Sequence, residues 1–140
     1  MENISINKFL IAQNTTISRV LEQLKDVKKS HWVWWVFPQI EGLIKNPSIT
    51  TVTYLKHDYL FDNYMSCCEA LLNNDKTIYE ILGEDVEKVR SSLTLFGLVT
   101  YDNKLKMIID ELIKFKFNGI TDDKTIKVLD EMSNCVSCEI

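Results

Sequence analysis

A chain of 140 residues, 46% apolar and 26% charged, has the size of one ordinary domain and enough hydrocarbon for a core without disulfides or metal. Four glycines and two prolines are too few for the tight turns of a β-sandwich. Asp and Glu outnumber Lys and Arg 20 to 16, for a net charge of −4, which argues against a general binder of duplex nucleic acid.

In chain order, the start MENISINKFLIAQN has a short apolar run and no basic leader with a cleavage pattern, and no later stretch approaches the ~20 apolar residues of a membrane span. The expectation is a cytoplasmic protein that engages no membrane and keeps Cys67, Cys68, Cys135 and Cys138 as reduced thiols. Phe9, Leu10, Ile17, Val20, Leu21 and Leu24 recur at threes, fours and sevens, so residues 6–25 read as one or two amphipathic helices. Asn14-Thr15-Thr16 is a candidate break, with Thr16 as N-cap. WVWWVF, residues 32–37, is rich in β-branched and aromatic side chains and is the one segment that suits an extended strip. A helix there would have to stop before Pro38, which pushes Phe37 out of the α region.

Asp58 is placed to cap a helix with Leu60, Phe61, Tyr64, Cys68 and Leu71 on its buried side. Asp75 is the expected cap of KTIYEIL, which Gly83 closes. Asp85 should cap VEKVRSSLTLFGLV, with Val86, Val89, Leu93 and Phe96 as its apolar stripe, and Asp102 should cap NKLKMIIDELIKF. A short helix over 123–132 follows Gly119 and the Thr121-Asp122 turn. The expected architecture is therefore all-α: a compact bundle of six or seven short helices forming a single helical domain over residues 1–140.

Two constellations carry chemistry. In KKSHWVWWVFPQ, residues 28–39, Trp32, Trp34 and Trp35 offer flat rings for stacking on a base, worth ~1–3 kcal/mol per base in single-strand binders. Lys28, Lys29, Ser30 and His31 suit phosphate oxygens, and Gln39 can read a base edge or a ribose hydroxyl. The alternative is that the tryptophans are core residues with their N–H groups bonded internally. In KVRSSLTLF, residues 88–96, Arg90, Ser91 and Thr94 form a polar stripe fit to clamp phosphate or carboxylate, against the alternative of an ordinary amphipathic helix.

His31 is the candidate general acid or base; no second histidine lies near it, and His57 is a weaker candidate. The terminal CVSC and the adjacent pair Cys67-Cys68 match neither a zinc site nor a redox motif, and Asp122-Asp123 lacks the alternating oxygens of a calcium loop. With no glycine-rich phosphate loop, nucleophile elbow or HExxH, no cofactor and no metal are expected.

FLIAQ (9–13), KKSHWVWWVFPQIEGL (28–43), DVEKVRSSLTLF (85–96) and FNGITDDKTIKVL (117–129) resemble the signatures of the domain of unknown function 1810 family, some members of which are labelled calpastatin. The resemblance implies a compact all-α domain. It covers Gln13, Lys28, Ser30, His31, Trp32, Trp34, Phe37, Pro38 and Gln39, and then Arg90, Ser91, Ser92, Thr94, Phe96, Gly119, Asp122 and Thr125. The chain departs from the pattern in a shortened segment between Gly42 and Tyr54, in threonine where Glu-Ala is expected before Tyr54-Leu55, and in a missing glycine near Asp26. If that glutamate serves as an acid or base in the resembled family, its absence here favours binding over catalysis.

The expected function is binding of a small nucleotide-like or ADP-ribose-like phosphorylated ligand. Trp32, Trp34 or Trp35 would form the wall, Lys28, Lys29 and Arg90 would hold phosphate, and Ser30, His31, Gln39, Ser91 and Thr94 would orient the ligand. The rivals are a hydrolase of a nucleotide-derived metabolite with His31 as acid/base, and an interaction or homo-oligomerisation module anchored by the tryptophans.

Overall fold

The computed structural model describes residues 2–39 and 47–134, without the side chains of 2–6, 34, 47–50, 52 and 132–134. All the regular structure among these residues is helical: α1 (Glu2–Leu24), α2 (Val33–Val36), α3 (Pro47–Lys56), α4 (Asp58–Asn73), α5 (Ile78–Leu82), α6 (Val86–Val99), α7 (Asn103–Lys116) and α8 (Asp123–Asn134), with a 3₁₀ turn at Gly83–Asp85. Six of these helices have ten or more residues. The all-α expectation holds.

Helix α1 packs on α4, α4 on α7, and α6 on α7, while α2 and α3 close against α1 and α3 also against α4. Of the two readings of residues 6–25, one helix or two, the first holds, and the candidate break at 14–16 does not occur. The Thr16 hydroxyl donates to the Ala12 carbonyl one turn back, 2.7 Å away, and Thr15 does the same at 3.3 Å, so both bond within a continuous helix. WVWWVF is likewise not extended. Trp32, Val33, Val36 and Phe37 are all buried, a helical spacing that alternation along a strand cannot produce, and one helical turn forms from Val33. That turn ends at Val36, and Phe37 adopts φ −122° and ψ 75°, as a residue before proline must.

Capping follows the sequence in part. The Asp102 carboxylate accepts the Leu105 N–H at 2.8 Å. Helix α5 is capped by Thr77 rather than Asp75, through a reciprocal Thr77–Glu80 capping box, and Gly83 closes it at φ +57°, a left-handed position that suits glycine. The bonds from Thr77 hold the Glu80 carboxyl below its usual range. Asp58 lies in the first turn of α4, behind an N-cap at His57 that makes no side-chain bond.

Helix α6 is the central element. Rather than a single stripe, every residue from Val89 to Gly97 is buried, the pattern of a helix surrounded on all sides. Around it the aromatic rings interlock: Phe96 stacks on Tyr64 with centroids 4.1 Å apart and meets Tyr54 edge-on at 5.4 Å. Phe37 and Phe9 extend the cluster through Tyr64 and Tyr54. Burial raises the pKa of both tyrosines well above the ordinary phenol value, so they remain neutral hydrogen-bonding groups.

Candidate functional site

The 28–39 strip is organised by Gln23, near the end of α1. Its side-chain oxygen accepts from the backbone N–H of Lys29 at 2.8 Å, the N–H of Ser30 at 3.2 Å and the indole N–H of Trp32 at 2.8 Å. Its amide nitrogen donates to the Ser30 hydroxyl at 2.9 Å. One amide thereby pairs a loop that has no helix or sheet to satisfy its donors. Further along α1, Thr16 accepts the Trp35 indole N–H at 3.1 Å.

This arrangement sorts the strip into inward and outward members. Trp32 is 1% exposed and belongs to the core; it does not offer an open stacking face, because its ring fills the space between the strip and Phe37. Lys28 is also inward. Its ammonium lies 2.6 Å from Asp85 Oδ2 and 5.4 Å from the centroid of Trp32, while its backbone N–H donates to Ile81 O. Lys88 reaches the other oxygen of Asp85 at 3.3 Å. Burial pushes the Asp85 carboxyl up, but the bonds and charges of Lys28 and then Lys88 outweigh it and hold the group below the usual carboxylate range. Asp85 thus occupies the N-cap position of α6 without capping it, because its oxygens are engaged by the two lysines. Lys29 and His31 point outward, Ser30 is bonded to Gln23, and Trp35 and Gln39 are half-buried. The Trp34 side chain lies outside the described residues.

The second constellation is a clasp between α6 and the 117–125 segment. The Arg90 guanidinium lies 5.3 Å over the Phe117 ring, donates through Nε to Ile120 O at 3.0 Å and pairs with Glu87. Burial works against its charge, but bonds to Glu87 and then Tyr79 more than compensate, and its pKa is raised. Ser91 and Thr125 share a hydrogen bond of 3.0 Å. The Thr94 hydroxyl donates to Arg90 O and accepts the Asp122 N–H. Asp122 in turn caps α8 by accepting from both the backbone and the hydroxyl of Thr125. Asn118 at φ +58° and Gly119 at φ +76° make the tight reversal that lets Gly119 N–H close α7 on Ile113 O. The stripe read as a phosphate clamp is therefore engaged in joining helices, and none of these bonds reaches the 28–39 strip.

Three groups escaped the sequence reading: Gln23, the buried Gln13 network and Asn74. Gln13 donates to Trp35 O and to the Tyr54 hydroxyl at 2.8 Å and accepts from Asn63 at 2.9 Å. Asn74 donates to Leu24 O and Asp26 O, tying the end of α4 to the end of α1. Gln13 had been visible only as a family position, since an isolated polar residue on an apolar stripe does not announce its partners. Among the described residues one buried side-chain polar atom has no partner: Thr51 Oγ1, on α3. Among the described residues no cluster of His, Cys, Asp or Glu suits a metal ion, and no helix is long and apolar enough to cross a membrane.

The fold and these two clasps define a small all-helical protein built around a buried central helix. The chain belongs to the family described as a protein of unknown function, DUF1810, whose model matches residues 3–129. Its fold is similar to the crystal structure of the conserved hypothetical protein Rv1873 from Mycobacterium tuberculosis, with a TM-score of 0.79 and 29% identity over 88% of this chain and 94% of that one. A shorter likeness, 35% identity over 72 residues, links 51% of the chain to proteasome subunit beta 1 of Ignicoccus hospitalis; it spans only 35% of that protein's length.

Proposed function

We propose that the protein binds a small nucleotide-like, phosphorylated ligand of the ADP-ribose type on the outer edge of the 28–39 strip. The observation that carries this reading is the Gln23 amide, which fixes the loop at Lys29, Ser30 and Trp32 and leaves Lys29 and His31 directed outward. Donors held in place before binding lose less freedom when a phosphate arrives. The half-open Trp35 ring would take the base and Gln39 would orient the ribose or base edge. Lys28 and Arg90 leave the ligand set, since carboxylates already hold both, and Ser30, Ser91 and Thr94 leave it because their hydroxyls are bonded within the protein.

Binding is favoured over hydrolysis because none of the described side chains orients His31, and a general base works only in defined geometry with its partner. The proposed setting is the cytosol, in keeping with Cys67 and Cys68 as buried free thiols. The test is thermal unfolding with ADP-ribose, NAD, AMP and ATP. A ligand at 100 times its Kd adds ~2.7 kcal/mol, and Lys29→Glu with His31→Ala should abolish that gain. No shift with any of the four refutes the reading, and turnover of any of them that His31→Ala removes transfers the site to the hydrolase alternative.

A further inference from the structure

A groove of about 300 Å³ lies between α6, α7 and the 119–126 segment, lined by none of the strip's residues. Its floor is hydrocarbon, from the buried Leu93, Ile109 and Ile113, and its wall includes Leu98, which is 55% exposed. Gly97 lies in the floor, and Lys106 Nζ sits 3.9 Å from where a Cβ on that glycine would stand, so this ammonium leans over the apolar floor. Lys114, two helical turns further along α7, stands at the same rim, roughly 12 Å away at the helical rise. Asp110 between them lies 3.4 Å from Lys106. Lys114 has no carboxylate among the described residues and rests 5.2 Å from the Phe115 ring centroid. The groove is thus an apolar channel with an excess positive charge at its edge, on a protein whose net charge is negative.

We propose that this groove binds a free medium-chain fatty acid, with the acyl chain along Leu93, Leu98, Ile109 and Ile113 and the carboxylate on Lys114. The volume is at the lower end of the ~300–1,000 Å³ typical of small-molecule sites, which suits a single short chain rather than a partner helix. The charge selects the head group: an anion gains the lysine, a neutral alcohol gains only the chain, and a cationic amphiphile meets repulsion.

Titration calorimetry of the full chain tests this with octanoate, decanoate and laurate below their micellar concentrations and decanol as comparator. The expected result is saturable one-to-one binding that tightens about fourfold per methylene until the groove is full. Decanol and Lys114→Glu should each weaken binding about tenfold or more, and Lys114→Arg should restore it. Leu98→Gln, at an exposed position, should weaken the chain contribution without unfolding the protein, while Lys29→Glu should leave decanoate binding unchanged. Non-saturating binding, equal affinity for decanol, or indifference to both Lys114→Glu and Leu98→Gln overturns the proposal. So does a dimer in sedimentation that Leu98→Gln disperses, because a second copy then fills the groove.

Discussion

Replacing Lys28 with methionine separates a structural lysine from a ligand-binding one. Methionine keeps an unbranched chain against Trp32 but removes the charge, leaving Asp85, whose side chain is 14% exposed, with only the half-exposed Lys88. Fully exposed pairs contribute ~0–1 kcal/mol and loss of one partner of a fully buried pair costs ~3–5 kcal/mol. With side-chain exposures of 9% and 14%, the Lys28–Asp85 bridge falls between, so Lys28→Met should cost about 2 kcal/mol. At this chain length that lowers Tm by about 7 °C. Urea unfolding followed by tryptophan fluorescence measures it. A cycle with Asp85→Asn should show coupling of about 1 kcal/mol or more, since the second change removes a charge that has already lost its more buried partner.

The acid limb supplies an independent reading. The folded pKa of Asp85 is below its unfolded value of ~3.9, so its contribution is complete above that value and disappears as pH falls through the folded pKa. Lys28→Met should therefore flatten the loss of stability that begins near pH 4 in the wild type. A change in stability within about 0.5 kcal/mol, or full additivity with Asp85→Asn, refutes the structural reading and returns Lys28 to the ligand set.

Three further outcomes follow from the same geometry. Gln23→Ala should cost about 2–3 kcal/mol in urea unfolding, because the buried Trp32 indole N–H loses its acceptor; a loss below 1 kcal/mol would contradict the pinned loop. Thr51→Val keeps the shape and removes a buried hydroxyl without a partner among the described residues, so it should raise stability by up to ~1 kcal/mol, and a loss of that size would show that the hydroxyl is bonded. In a Cys135→Ser, Cys138→Ser background, a thiol reagent at pH 8 should modify Cys67 and Cys68 only at the rate of unfolding. Burial pushes the Cys67 thiol up to about 12 and raises Cys68 as well, so rapid modification of the native protein would refute their placement.

The sequence by itself determined the helical class and most helix limits, because these follow from local causes: apolar spacing, Asp102 as a cap, Gly83 as a stop and Pro38 as a barrier. It also marked the two segments whose polar residues matter. Only the tertiary structure decided what those residues do, because a hydrogen-bond partner such as Thr125 for Ser91, 34 positions away, leaves no periodic trace. Trp32 and Trp35 look equivalent in WVWWVF, yet Gln23 and Phe37 enclose the first while Thr16 holds the second half-open. Arg90, Ser91 and Thr94 have the chemistry of an anion clamp. The fold surrounds α6 on every side, and a buried polar group must find its partner inside the protein. Those partners turned out to be Ile120, Thr125 and Asp122.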